Sequence, residues 1–378
     1  MEFAWTAEQQ AYRAKVRGFL QREMPDNWFT DIAKGRGSVE QVEFSREFCP
    51  KLAKAGLLTA HWPKEYGGAD ATPWEHFILA EELWTWAEPR GPQYMNVNWI
   101  GPALMRYGTP EQKAQHLGAI SRGEVIWCQG FSEPQAGTDL AALQTRAERR
   151  GDVYVINGQK IWTSYAHLAD WCFLLARTAP DRKAISVFLV PMDSPGIRVA
   201  PFEGLPEAGH LNEVFFTDVE VPAANRVGEE GRAWEIVTYA LSHERVGIPR
   251  YDIGRKVIDT AIDQLKREGR FDAAAAAAAA RIVAKLEAFR MLTYLVVDQR
   301  AKQTPPTVDA NIARISGADA IIDVMDYLMK YVPDCLTGGD KYLEIFFRAN
   351  TANTITSGAY EIQLNLISQG ALNLPREG

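Results

Sequence analysis

Three short segments carry residue types from which a reaction could be built. The first is Trp127-Cys128-Gln129-Gly130-Phe131-Ser132-Glu133-Pro134-Gln135-Ala136-Gly137-Thr138-Asp139. Gly130 and Gly137 allow a ligand close to the backbone, Pro134 stiffens the turn, and the Ser132 and Thr138 hydroxyls sit beside accessible amides. Such a loop can cradle a flat heterocycle or a phosphate, although a plain turn-rich connector fits the same residues equally well. The second segment, Gln159-Lys160-Ile161-Trp162-Thr163-Ser164, offers an indole for stacking and a hydroxyl, Ser164, that can donate to a ring nitrogen. Taken alone, Trp162 reads better as a strand aromatic half-buried in its module. The third, Leu241-Ser242-His243-Glu244-Arg245-Val246-Gly247-Ile248-Pro249, sets a carboxylate next to an arginine inside an apolar helical pattern. Pro249 removes an intrahelical hydrogen bond and clashes near the Arg245 carbonyl, so a kink that opens space beside Glu244 is expected. Without context, a solvated glutamate on a helix face is the simpler reading.

Other reactive residues show no such grouping. The six histidines have no metal spacing, and Cys49, Cys128, Cys172 and Cys335 are far apart with no C-x-x-C, so no metal site is expected. Four dispersed cysteines fit a reduced, cytoplasmic compartment. Gly338-Gly339 reads as a turn. The 378 residues carry 41 Lys+Arg against 48 Asp+Glu, a net charge of −7, which argues against nucleic acid as the main partner. With 47% hydrophobic residues the chain can bury a real core. No apolar run reaches the length of a membrane span, and the N-terminus lacks the basic-then-apolar pattern of a secretory signal.

The elements that must position these segments fall into three stretches: helices over 1–125, an all-β module over 126–231, and helices over 232–378. Thr6-x-x-Gln9 reads as a capping box ahead of Tyr12, Val16, Phe19 and Leu20 at helical spacing. Leu79–Trp86 and Pro110–Ala119 continue the helical pattern, and Gly67-Gly68 marks a turn. In the middle, Val153–Ile156 and Lys160–Thr163 flank Asn157-Gly158, which predicts a two-residue hairpin. Trp171–Leu175, Ile185–Val190 and Val214–Val221 are further strand-like runs. Ala273–Ala280 leads a helix to about Lys302, ended by Gln303-Thr304-Pro305-Pro306. One more helix is expected over Asp309–Tyr331 and a last one after Ala359. With no regular βαβ alternation, a Rossmann sheet is unsupported.

In this order, the segments resemble the acyl-CoA dehydrogenase family over essentially the whole chain. Phe131-Ser132-Glu133-Pro134 with Ala136-Gly137-Thr138-Asp139 is similar to the family's flavin loop, and Asn157–Ser164 to its N-G-x-K-x-W strand. Asn212–Phe216 with Val219–Pro222, Glu361-Ile362-Gln363 and Leu372–Arg376 resemble later signatures. The resemblance implies an α+β chain: an N-terminal α-helical domain, a central β-barrel and a C-terminal four-helix bundle. It implies FAD between barrel and bundle, with acyl-CoA against the flavin, and α,β-dehydrogenation of the thioester. It assigns cofactor contacts to Gln129, Phe131, Ser132, Gly137, Thr138, Trp162, Ser164 and Glu361. Ser164 would sit near flavin N5, with Trp162 flanking the ring. Electron-transfer flavoprotein is the implied acceptor.

Departures from the family pattern sharpen the expectation. Most members place the catalytic glutamate in a Y-E-G-T segment, where this chain has Thr356-Ser357-Gly358-Ala359. A minority place it on an earlier helix directly before an arginine, the position of Glu244-Arg245. The base is therefore assigned to Glu244, with Arg245 influencing its charge. The R-x-x-F-G and Q-x-x-G-G segments, which reach a neighbour's FAD, are represented by Lys266–Asp272, several residues short, and by Cys335–Gly339, without the glutamine. A chain that builds a site but cannot complete one implies a homologous second subunit in an α2β2 assembly, as in family members that degrade steroid side chains, with a homotetramer as the alternative. The substrate suggested is a bulky steroid side-chain CoA. Two other readings stay open: a non-catalytic partner subunit, and a flavin oxidase or monooxygenase on the same fold.

Overall fold

The computed structural model describes residues 4–32, 37–181, 184–205, 210–244, 249–304, 307–356 and 358–375, with the backbone alone for 241–244. The helices before the sheet are α1 (Ala7–Glu23), α2 (Val39–Lys54), α3 (Pro73–Trp84), α4 (Gln93–Met95), α5 (Gly101–Tyr107) and α6 (Pro110–Ser121). Their starts follow from local chemistry. Thr6 caps α1 reciprocally with Gln9, Thr72 caps α3 with Glu75, and Thr109 caps α6 with Gln112. In the last two, a proline fills the first helical position, where no hydrogen bond is lost.

The strands are β1 (Trp127–Gly130), β2 (Arg146–Arg150), β3 (Val153–Lys160), β4 (Trp171–Arg177), β5 (Ile185–Pro191), β6 (Ile197–Pro201), β7 (Asn212–Pro222) and β8 (Arg226–Val227). They form one sheet in the order β6-β7-β3-β2-β4-β5-β8, with β1 added parallel to β4. β5 is buried along almost its whole length, as a continuous apolar run should be when both faces are covered. β7 instead alternates over its first residues. After the sheet come α7 (Ala233–Glu244), α8 (Arg250–Arg267), α9 (Ala273–Ala301), α10 (Asp309–Tyr331), α11 (Lys341–Asn350) and α12 (Tyr360–Ala371). The expected helices–sheet–helices order and the bounds of α10 are as read from the sequence.

The hairpin predicted at Asn157-Gly158 does not form. β3 runs straight through both residues, and the register against β7 shifts between Ile156 and Gly158 as a bulge. The Asn157 amide donates to Asp218 Oδ1 at 3.0 Å and its oxygen accepts from the Asp218 backbone at 2.9 Å, so the side chain is occupied across the strands. Gly158 serves a close approach instead of a turn: a Cβ there would lie 2.4 Å from Thr145 Oγ1. The hairpin turn falls at Gly151, between β2 and β3.

The chain packs as two units. One contains α2, α4–α7 and the whole sheet (36–70 and 90–244); the other contains α1, α3 and α8–α12 (1–35, 71–89 and 245–378). The sheet unit has a core that includes Tyr154, Ile156, Leu174, Phe188 and Phe216. In the helical unit, Phe77, Ile258, Leu286, Ile321 and Leu328 form the core. Buried among these helices is a polar knot. Arg13 of α1 binds both Glu81 and Glu82 of α3 at 2.6 Å, Tyr251 of α8 donates to Glu81, and Tyr294 of α9 does so at 2.8 Å. All four cysteines are buried and none is in a disulfide. Among the described residues, no helix is long and apolar enough to cross a membrane.

Candidate active site

The loop after β1 is built around an inward-turned glutamate. Glu133, with 2% of its side chain exposed, accepts from Gln144 N at 2.6 Å, Thr145 N at 2.9 Å and Gln135 Nε2 at 2.8 Å. Its Oε1 also meets Lys160 Nζ at 2.8 Å, and that lysine is fully buried. Burial would raise the Glu133 carboxyl, but the Lys160 ammonium and the surrounding donors hold it below the usual carboxylate range. Burial pulls Lys160 down to about 8, against the attraction of Glu133. Lys160 also donates to the Phe131 carbonyl at 3.1 Å, and the next amide, Ile161, to the Ser132 carbonyl at 2.9 Å. The first and second sequence segments are thus stitched together at the end of β3.

What the stitching leaves over is a set of donors. Ser132 makes a hydrogen bond only through its carbonyl among the described residues; its amide N–H and hydroxyl are unclaimed, and it is half-buried. Ser164 is half-buried with no hydrogen bond among the described residues. Between them Trp162 lies beyond the end of β3, 59% exposed, at φ 60°, with Phe202 edge-on at 5.3 Å. The expectation of a half-buried strand aromatic is overturned. A positive φ on a bulky residue is strained, and the strain sits where the indole is pushed out of the sheet.

Asn212 straps this segment. Its backbone carbonyl accepts from Thr163 N at 3.0 Å and its Nδ2 donates to the Thr163 carbonyl at 2.9 Å, while its Oδ1 lies 3.0 Å from His167 Nδ1. Fully buried Asn212 opens β7 within a motif noted in the sequence, yet its role there was missed. The Glu133–Lys160 pair was missed likewise. The available signal was a charged residue inside each of two otherwise apolar or turn-forming stretches, since such charges persist in a core only when paired.

The remaining sequence candidates are dispersed. Gln129 is half-buried on β1 opposite Phe173, and Phe131 is half-buried 6.2 Å from the Phe173 ring. Gly137 and Thr138 are exposed, and beyond its two chain neighbours no described residue lies within 4 Å of where a Gly137 Cβ would be. Glu361 is exposed in the first turn of α12, in the helical unit. Glu244 is the last residue of α7, a helix packed on β5 and α5; its side chain and all of Arg245 lie outside the described residues. The proline that suggested a kink, Pro249, is the N-cap of α8. Ser357 also lies outside the described residues. Among the described residues no group of His, Cys, Asp and Glu could hold a metal.

Half-buried hydroxyls and an amide without protein partners, beside an exposed indole, form a surface that can receive a planar, hydrogen-bonding ring system. The chain resembles known proteins over its whole length. Residues 6–124, 128–219 and 231–372 match the acyl-CoA dehydrogenase N-terminal, middle and C-terminal domain families. The chain is 34% identical to acyl-CoA dehydrogenase IpdE1 of Mycobacterium tuberculosis, over 97% of this chain and 98% of that protein. Among solved structures it is similar to the Tcur3481-Tcur3483 steroid ACAD, with 30% identity, TM-score 0.91 and full coverage of both chains. It is also similar to the ChsE4-ChsE5 complex of Mycobacterium tuberculosis, with 31% identity, TM-score 0.86 and full coverage of both.

Proposed function

The chain belongs to the acyl-CoA dehydrogenase family, and from that premise we propose that it binds FAD on the Ser132–Trp162–Ser164 surface and uses Glu244 as the base that opens an acyl-CoA thioester to α,β-dehydrogenation. The observation that carries this reading is the pair of unclaimed Ser132 donors set beside the exposed Trp162 indole. These residues fit the group: an amide N–H and two hydroxyls for the polar edge of an isoalloxazine, an indole for its flank. When bound, FAD supplies an acceptor for the β-hydrogen as hydride.

The chain's own residues do the rest. An α-C–H of a thioester is a weak acid, so its proton leaves only to a base held within hydrogen-bond reach while water is kept out. Glu244 takes that proton onto its carboxylate. Arg245, next in the chain, bears on how readily the carboxylate stays ionised. Ser357, in the place of the more common glutamate, cannot take the proton unaided at neutral pH.

The relatives named as two-component assemblies favour a heteromer, and a bulky steroid side-chain CoA as substrate. A surface feature of this chain agrees with an assembly: on and after α12, Leu364, Leu366, Leu372 and Leu374 are 46, 38, 65 and 52% exposed. Leucines left in water there favour the end of α12 as a contact region. The proposed state is α2β2 with a homologous second chain, with electron-transfer flavoprotein as the acceptor. Co-expression with a homologous chain, then a count of FAD per chain and anaerobic reduction by a panel of acyl-CoA thioesters, tests the whole reading. Retained FAD that bleaches with a thioester is expected. FAD that oxidises thioester with rapid oxygen uptake would favour the oxidase alternative, and a complex whose turnover survives loss of Glu244 would favour the non-catalytic subunit.

A further inference from the structure

This inference rests on the flavin reading above and concerns Lys160, which has no part in that chemistry. An ammonium with 0% of its side chain exposed is costly to bury. Glu133 does not require it for neutral hydrogen bonding, since Gln135, Gln144 and Thr145 already donate to that carboxylate. The contact that stands out is the other one, from Nζ to the Phe131 carbonyl at 3.1 Å. In a trans peptide the carbonyl and the following N–H lie in one plane and point in opposite directions. Drawing the Phe131 carbonyl inward onto Lys160 therefore turns the Ser132 N–H outward, and that is the N–H that no group among the described residues claims. The following carbonyl, of Ser132, is pinned by the amide of Ile161, the neighbour of Lys160. Beneath the loop, Gly130 already touches its floor: a Cβ there would lie 2.7 Å from Leu174 Cδ1 and 2.9 Å from Cys172 Sγ. The backbone has little room for another arrangement.

We propose that Lys160 is a positioning residue for the flavin: through the Phe131 carbonyl it aims the Ser132 N–H at the ring and strengthens that N–H as a donor. A cation at the far end of a peptide polarises it, and a stronger donor favours the electron-rich reduced ring over the oxidised one. Lys160 thus raises both FAD affinity and the flavin's reduction potential.

The test uses whichever wild-type assembly retains FAD, the chain alone or with its homologous partner. Absence of FAD from both sinks the flavin reading, and this inference with it. With FAD retained, Lys160→Met and the double change Lys160→Met with Glu133→Gln are compared for melting temperature, FAD dissociation constant and flavin potential. The double change removes both buried charges while the glutamine oxygen at 133 still accepts from the Gln144 and Thr145 amides, so no unpaired charge is left as in the single one. Both variants are expected to bind FAD at least about tenfold more weakly, the scale of one lost charged hydrogen bond, and to have a more negative potential. The double variant should regain most of the melting temperature without regaining the potential. A double variant with wild-type affinity and potential overturns the proposal, because a purely structural pair would behave that way. Should neither variant fold, Lys160→Gln decides: its amide is a neutral donor in place of the cation, so weaker FAD binding and a more negative potential are expected, and wild-type values for both overturn the proposal.

Discussion

At the residue scale the proposed site divides into groups that hold and a group that reacts. In the proposed reading Ser132, Ser164 and Trp162 hold: the Ser132 amide and both hydroxyls are unclaimed among the described residues, and the Trp162 indole is exposed beside Phe202. Glu244 is the proposed base, so its removal should leave binding intact. Glu244→Gln is expected to lower turnover by roughly 10²–10⁴-fold, the range for loss of a positioned base, while FAD per chain stays at the wild-type count. Stopped-flow reduction by thioester measures the first and the visible flavin spectrum the second. Asp252 of α8 offers a separate, pH-linked prediction. Burial and the neighbouring Glu81 and Glu82 carboxylates raise its carboxyl to about 8, with Arg13 and Arg290 opposing. The folded state therefore holds a proton that the unfolded chain releases near pH 4, and stability declines as pH rises from about 4 to about 8. Asp252→Asn, which needs no proton, should flatten that decline and raise the melting temperature most at pH 8; equal melting curves for both proteins across this range would rule the account out.

At the element scale, what could be read from the sequence was what local chemistry decides. Thr6 and Gln9 cap α1 as expected because the two groups sit one turn apart. α9 ends at Ala301, just ahead of the Gln303-Thr304-Pro305-Pro306 breaker read from the sequence. Asn157-Gly158 misled because a bulge and a tight turn draw on the same residues, and only the partner strand, with Asp218 and Thr145, decides between them. Gly158→Ala therefore meets Thr145 instead of relaxing a turn. The expected cost is about 1–3 kcal/mol, as for other overpacked sites, read from denaturant unfolding; an unchanged midpoint would contradict the bulge. The candidate site was legible by position, since the two motifs that the structure stitches together were both singled out. Its clamps were not legible. Glu133 and Lys160 are far apart in sequence, as are Thr163 and Asn212, and no local periodicity links such partners.

At the scale of the whole molecule, the leucines on and after α12 set the expectation for assembly. If that row is a contact face, Leu372→Glu with Leu374→Glu should lower the assembly mass in native mass spectrometry while circular dichroism of the chain stays unchanged. An intact assembly mass would move the contact elsewhere. The cysteines bear on how such experiments can be done. Cys49, Cys128, Cys172 and Cys335 each have 0% exposure, so a native thiol offers no handle to a maleimide dye. One cysteine introduced on the outer side of α12 would take the only label, turning subunit exchange and docking into signals that fluorescence can follow one position at a time.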